Sequence, residues 1–420
     1  MASANSLQRA AAHLDELLTL ERQIWLCGAG ISVESGIPLM FPLTERVRAI
    51  LDVPTDIIAE NTKQTAALLK TLCTQMPADC HIEHHLSQIG DLITLAERKT
   101  TPNVVYGTET FTNEDLKSAH RHIQMAIRHT VEFGYVNANA GAPEQIGTVS
   151  EPVVTHEPHD AFVQALFTER RAGLERRPPI RFFTTNYDTL LEDSLARCCV
   201  PFADGFAGGA TAFWDPRNLE SRIRTLEFAQ HSAVIYKLHG SIDWIFTGND
   251  VVMRVRTSAV LPLAKNKGSR LLIYPQATKY LATQRDPFAR LFADFRTQLS
   301  SKAPTAFVVC GYSFGDDHIN EEIDRALRQS GNSLTLIACC AQRTDSTGKL
   351  GIDEGLPPII VKWLKESSSW NERIVVLGSH GYYRGSLKNR IDSKDIPNPL
   401  AWWTFSGITQ FLKQGPEMFS

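Results

Sequence analysis

Trp25-Leu26-Cys27-Gly28-Ala29-Gly30-Ile31-Ser32, continuing to Gly36-Ile37-Pro38, is the stretch on which the reading of this chain turns. Ile24 to Cys27 is a short apolar run stopped by glycine, as expected of a buried parallel strand. It meets two glycines two positions apart and then Ser32, a residue type that caps helix starts. A strand that turns on glycine into a helix start aims backbone N–H groups at one point. That geometry suits the pyrophosphate of a dinucleotide. Taken alone the signal is weak, because any tight strand-to-helix turn needs small residues. The other strand ends decide between the two readings.

The 420 residues exceed one ordinary domain. Apolar residues make up 43% and charged residues 21%, an ordinary globular composition. A formal net charge of −3 is too small for a chain whose main work is wrapping nucleic acid, so no direct nucleic-acid binding is expected. No run of 18 apolar residues occurs, which predicts no membrane span. Near the start, Leu7, Leu14, Leu17 and Leu18 interleave with Asp15, Glu16 and Glu21. This reads as an amphipathic helix and not as a signal peptide. The cysteines include no Cys-x-x-Cys, and Cys27, Cys310, Cys339 and Cys340 sit in or beside apolar strand-like runs as small core residues. Neither a disulfide framework nor a metal site is expected, and a reducing cytoplasm fits.

Along the chain, residues 6–21 read as a helix, followed by the first strand. From Thr44 to about Arg176 helical periodicity dominates, with helices expected over 44–52, 56–73, 82–99, 113–133 and 157–174. The stretches 100–112 and 134–158 read as loops. After Pro178-Pro179 the pattern switches: Ile180 to Thr185, Ala233 to Leu238, Leu271 to Tyr274, Ala306 to Cys310, Leu334 to Ala338 and Ile374 to Leu377 read as short apolar strands. Helices over 190–198, 287–300, 317–329 and 357–366 alternate with them, and 201–230 reads as irregular. The fold class is therefore α/β, a Rossmann-like doubly wound parallel sheet interrupted by a mainly α-helical insertion. The expected divisions are 1–43, the first part of the nucleotide-binding domain; 44–177, the insertion; 178–380, the remainder; and 381–420, a C-terminal extension.

Ligands of open parallel sheets bind beyond the carboxyl ends of the strands. Those ends carry Gly28-Ala29-Gly30-Ile31-Ser32, Thr185-Asn186-Tyr187-Asp188, His239-Gly240-Ser241, Gly311-Tyr312-Ser313-Phe314 and Gly378-Ser379-His380. An Asn and a His thus arrive from two different strands, a convergence more specific than any single motif.

With Glu34-Ser35-Gly36-Ile37-Pro38 after the first turn, these motifs in this order resemble the sirtuin family. Lys237-Leu238-His239-Gly240-Ser241, Gly311-Tyr312-Ser313-Phe314-Gly315-Asp316-Asp317 and the insertion are more similar to the sirtuin-like effectors of bacterial anti-phage defence. The resemblance covers roughly residues 22–43 and 178–345; in the insertion only Ile82-Glu83 and Leu86-Ser87 share it. Deacetylating sirtuins continue the first motif into Asp-Phe-Arg, where this chain reads Leu39-Met40-Phe41. They also carry four zinc-binding cysteines after the His-Gly, and residues 241–270 contain no cysteine. Both departures weigh against protein deacylation and leave cleavage of NAD.

Residue chemistry agrees with that implication. NAD carries a positively charged nicotinamide on ribose C1′, and breaking that bond passes through an oxocarbenium-like state. Asn186 can both donate to and accept from a ribose hydroxyl or a water; the alternative is an Asx-turn. His239 titrates near neutral pH and can take a proton, or it is a core histidine. Asp188 is placed as a helix cap or a cofactor ligand, Ser32 as a cap or a phosphate ligand, and Ser313 as a phosphate or ribose contact or a turn cap. The resemblance adds Gly28, Ala29, Gly30, Thr185 and Gly311 to the cofactor-binding set. Asp316-Asp317 reads as a helix start in preference to a metal site. His81, His84 and His85 read as surface histidines, and Trp402-Trp403 as a docking or packing anchor, or an oligomer contact.

The resemblance implies an NAD glycohydrolase, an abortive-infection effector that splits NAD into nicotinamide and ADP-ribose. A protein deacylase or ADP-ribosyltransferase, a non-catalytic nucleotide-binding scaffold and, more weakly, a hydride-transferring oxidoreductase are the alternatives. It further implies a homo-oligomer controlled by a partner, a HerA-type DNA-translocating ATPase before an Argonaute, since only about 40 residues, 380–420, follow the last expected strand.

Overall fold

The computed structural model describes residues 2–52, 63–99, 102–138, 143–170, 177–226, 229–247, 251–256, 270–273, 286–366, 368–392 and 400–419. Its central sheet is apolar on both sides because each strand divides its side chains between two cores. In β1 (Arg22–Cys27), Ile24 and Leu26 enter one hydrophobic cluster, and Trp25 and Cys27 enter another. This period-two alternation of entirely apolar side chains requires a helical layer on each face. One layer consists of the helices Phe288–Leu299, Asp317–Arg328 and Pro358–Lys365. The other is built from Ala2–Leu18, Glu157–Val163, Leu190–Arg197 and Phe405–Gln414.

The remaining strands of the sheet are β2 (Ile180–Thr184), β3 (Phe202–Ala203), β4 (Ala233–Lys237), β5 (Thr305–Cys310), β6 (Leu334–Cys340), β7 (Ile374–Gly378), β8 (Gly381–Arg384) and β9 (Ser386–Asp392). Their order is β9-β8-β7-β6-β5-β1-β2-β4-β3, with β1 to β7 parallel and β8 and β9 antiparallel at one edge. The expected doubly wound α/β sheet is what forms. The chain builds outward from β1 on one side through β2 and β4, then crosses to β5, β6 and β7. This reversal leaves a crevice at the carboxyl end of β1, where Cys27 registers with Thr184 and Cys310.

Between β1 and β2 the helices Met40–Asp52, Lys63–Gln75, Ile82–Glu97 and Asn113–Phe133 pack a cluster of their own, including Ile50, Leu72, Leu86 and Ile127. Helix Asn113–Phe133 starts where Thr112 and Asp115 cap each other's backbone N–H groups. The same cluster takes in Tyr187, Leu190 and Ile242, which flank the carboxyl ends of β2 and β4. The helical block is thus packed onto the part of the sheet where a ligand is expected.

Several local expectations are corrected. Residues 100–112 contain a hairpin, Asn103–Tyr106 with Glu109–Thr112, turning at Gly107 with φ +64°. The two strands are too short for periodicity to reveal. Residues 201–230 are not irregular: Phe206–Gly208 pairs with Thr211–Trp214, and a helix runs from Pro216 to Leu226. The run near Leu271 is a strand, Arg270–Ile273, but it lies outside the parallel sheet. It pairs antiparallel with Gly240–Phe246 in a second, five-stranded sheet with Val252–Val255 and the 206–214 hairpin. A short apolar run carries no information on strand direction. His85 is buried, 1% exposed, and burial drives its pKa down to about 4, so it is not a surface histidine. Trp402 is fully buried, and its indole N–H donates to Gly378 O at 2.8 Å, a packing anchor for the last helix. The starts of the helix expected over 56–73, the end of that over 157–174, and Tyr274 fall outside the described residues.

Candidate functional site

The ends of β1 and β2 are locked together by side chains that the backbone turn delivers. Thr184, the last residue of β2, donates its hydroxyl to Cys27 O at 3.0 Å and accepts from Asn186 N at 3.0 Å. Thr185 N also donates to Cys27 O, at 3.1 Å. These bonds turn the Asn186 side chain toward Ser32. There Asn186 Nδ2 donates to Ser32 Oγ at 3.0 Å, and Ser32 Oγ donates to Asp188 Oδ2 at 2.8 Å. The other Asp188 oxygen accepts from Leu190 N at 3.1 Å, at the start of helix Leu190–Arg197. Asp188 is therefore both a helix-start acceptor and the anchor of Ser32. The remaining polar atom of Asn186, Oδ1, is buried and has no hydrogen-bond partner among the described residues. Such an atom carries a desolvation cost unless a ligand or water meets it.

His239 arrives from β4. Leu238 N donates to Thr184 O at 2.8 Å, and Gly240 then takes φ +85°, turning the chain into the strand Gly240–Phe246. Ser241 Oγ and Ile242 N both donate to Tyr187 O, at 3.2 and 3.0 Å. The His239 turn is thereby fastened to the segment that carries Asn186. His239 is 5% exposed, and its Nε2 lies 3.1 Å from Asp316 Oδ2, which is itself 4% exposed. Asp316 is also the cap of helix Asp317–Arg328, where its Oδ1 accepts from His318 N at 3.1 Å. The helix-start reading of Asp316 is right, but incomplete.

Two residues before His239 stands a buried cation. Lys237, the last residue of β4, donates to Asp188 O and lies 3.2 Å from Glu192 Oε1. Burial raises the Glu192 pKa, and Lys237 and Arg256 act against that rise. On the other side of the turn, Ser35 Oγ and His159 Nδ1 share a hydrogen bond of 3.0 Å. His159 is fully buried, and its pKa falls to about 4, chiefly through desolvation.

The glycines join the loops after β1 and β5 to each other. The N–H groups of Gly28 and Gly30 donate to Cys310 O at 3.0 Å and Gly311 O at 2.8 Å. A Cβ on Gly28 would stand 2.5 Å from Gly311 O, and one on Gly311, whose φ is +67°, would stand 2.5 Å from Ile31 N. The three glycines let the loops after β1 and β5 interlock without side chains, which shapes the crevice floor. Ser32 is not a helix cap. It ends a short 3-10 turn, Ala29–Ser32, and the next α-helix begins only at Met40. Ser313 is exposed and caps no helix, since Asp316 does so; Ala29 is likewise exposed.

The structure therefore brings Ser32, Asn186 and Asp188 into one hydrogen-bonded group. It ties His239 to that group through Tyr187 and leaves Ala29 and Ser313 exposed on the two interlocked loops. Thr184, Lys237 and the partnership of Asp316 with His239 escaped the sequence reading. Their signal is positional: each stands within three residues of a strand-end motif. A separate surface groove of about 460 Å³, lined by Glu34, Glu157, Ser406 and Lys413 among others, includes neither Asn186 nor His239. Among the described residues, no group of three or more His, Cys, Asp or Glu is placed to hold a metal ion, and no helix is long and apolar enough to cross a membrane.

Residues 180–351 match the SIR2-like domain family. The match begins at β2 and takes in Asn186, His239 and Asp316. It supports a sirtuin-like protein, and a SIR2-like domain implies NAD binding and NAD-dependent chemistry. No curated protein matches the chain.

Proposed function

We propose that the protein hydrolyses NAD at the nicotinamide–ribose bond. The observation that carries this reading is the buried Asn186 Oδ1, without a partner among the described residues, together with a buried histidine whose turn is fastened to the same loop. Asn186 Oδ1 accepts from a ribose hydroxyl or from the attacking water. Its amide nitrogen is committed to Ser32, which holds the side chain in this orientation. His239 takes the proton that the nucleophile loses. Water oxygen bonds to C1′, the C1′–N bond breaks, and its electron pair leaves with neutral nicotinamide. The products are ADP-ribose, nicotinamide and one proton. Asn186 and His239 are 7% and 5% exposed, so the charge that develops on the ribose does so in a largely dry site, where fixed dipoles act strongly.

Water is favoured over an acylated lysine because the chain after His239-Gly240 runs directly into the five-stranded antiparallel sheet. In deacetylating sirtuins, the resemblance places a zinc module there. The likeness to anti-phage effectors supports a role in abortive infection, in a homo-oligomer held quiet by a partner, with a HerA-type ATPase the first candidate. Purified protein incubated with NAD alone, and then with such a partner, tests the reading by product analysis. Nicotinamide and ADP-ribose in equal amounts are expected. Release that requires an acylated peptide means a deacylase, and NAD binding without any product means a scaffold.

A further inference from the structure

We infer that Asp316 is a positioning residue for His239, fixing which ring nitrogen carries the proton and so which one accepts a proton during turnover. The inference rests on the NAD-cleaving reading of Asn186 and His239 and assigns a role to a residue outside that pair.

The argument is geometric. Asp316 Oδ2 lies 3.1 Å from His239 Nε2, with both side chains buried, at 4% and 5% exposure. A carboxylate can only accept, so at this distance it favours a hydrogen on Nε2 over a lone pair there. In the neutral imidazole that leaves Nδ1 as the basic nitrogen. The carboxylate cannot swing away to release the ring. Its Oδ1 accepts from His318 N at 3.1 Å, and its backbone N–H donates to Tyr312 Oη at 3.2 Å. Tyr312 Oη in turn donates to Asp316 O at 3.1 Å. Asn320 Nδ2 holds Phe314 O at 2.8 Å, which fixes the loop between β5 and the helix. A carboxylate fixed in this way sets the tautomer and orientation of the histidine and stabilises the imidazolium that forms when the ring takes a proton. One residue thus joins the end of β5 to a base on β4, across the crevice floor.

The test uses the full chain labelled with 15N-histidine, with His239 assigned by its absence in His239→Gln. Ring-nitrogen shifts distinguish the two tautomers without any nucleotide present. Wild type is expected to carry the Nε2–H form. Asp316→Asn keeps a good helix cap, so the fold is expected to hold. Its amide NH₂ can donate to Nε2 and move the ring toward the Nδ1–H form. Nicotinamide release should then fall about 100-fold or more in kcat, with KM changed less than about 2-fold. Asp317→Asn, at the exposed neighbour, should leave the spectrum and kcat as in wild type. A wild-type His239 protonated on Nδ1 overturns the inference even if Asp316→Asn does not fold, and so does Asp316→Asn with wild-type kcat. A wild type that releases no nicotinamide overturns the NAD-cleaving reading instead, and the nucleotide-free spectrum still decides Asp316.

Discussion

Tyr187 donates its hydroxyl to the carboxylate of Glu83, and both side chains are buried, at 7% and 5% exposure. Tyr187 directly follows Asn186, whereas Glu83 stands in the first turn of helix Ile82–Glu97 in the block between β1 and β2. The proposed ribose-holding residue is therefore attached to the helical insertion by a buried charge-assisted bond. Burial and the Glu83 carboxylate both raise the Tyr187 pKa, which keeps the phenol a donor.

Breaking this bond should disturb catalysis from a distance. Tyr187→Phe and Glu83→Gln are each expected to cost about 1–3 kcal/mol of stability and to slow nicotinamide release about 10-fold. Because the first removes the donor and the second the acceptor's charge in the same contact, the double variant should lose less than the sum of the single losses. Denaturant titration and initial rates on all four proteins measure the coupling. Strict additivity would show that the two residues act separately.

Ser32 is the shared partner of Asn186 and Asp188. Ser32→Ala removes an acceptor from one and a donor from the other, at a cost of about 1–3 kcal/mol in stability. Release of nicotinamide should fall with it, as should that of Asn186→Ala and His239→Ala, each to background. Full activity in folded Asn186→Ala or His239→Ala would falsify the catalytic assignment.

Gly311→Ala should be more damaging than its one methyl group suggests. The new Cβ meets Ile31 N at 2.5 Å, and the residue must keep φ +67°. A loss of about 1–3 kcal/mol is expected, together with weaker NAD binding as the two loops part. Thermal melting with and without NAD checks both effects. An unchanged melt would mean that the loops need not interlock.

Acid should destabilise the fold through His159. Its pKa is about 4 in the folded protein and about 6.5 when unfolded, because burial disfavours the imidazolium. The unfolded state therefore binds more protons between those values. The stability that His159 contributes is complete above about pH 6.5 and is lost as pH falls toward about 4, by up to about 1.4 kcal/mol per pH unit. His85 follows the same direction over the same window. Urea midpoints from pH 7 to pH 5 should fall less steeply in His159→Asn than in wild type. Equal slopes would exclude a buried neutral His159.

Trp402→Ala tests the last helix. The indole is fully buried and bonded to Gly378 O, so removal should cost about 3–5 kcal/mol. Activity per folded molecule should be unchanged. A stable variant with altered assembly in sedimentation would instead make Trp402 an intermolecular contact.

Residue patterns alone determined the central architecture. Apolar runs such as Ile24 to Cys27 and Ala306 to Cys310 can bury both sides only in a covered parallel sheet, and their alternation with amphipathic helices fixes the doubly wound class. They also placed Asn186 and His239 at strand ends, because strand ends are local features. Tertiary structure decided what those ends touch. Ser32 reads locally as a cap, yet its hydroxyl binds Asn186 and Asp188, some 150 positions later in the chain. Asp316 reads as a cap and is one, but which base its second oxygen meets depends on β4 and β5 lying on opposite sides of β1. The run at Leu271 shows the same division: its strand character is local, while its partner and direction are set by the strand from Gly240. Periodicity reports which face of an element is apolar. It carries nothing about hydrogen bonds between side chains far apart in sequence, and the proposed chemistry depends on those bonds.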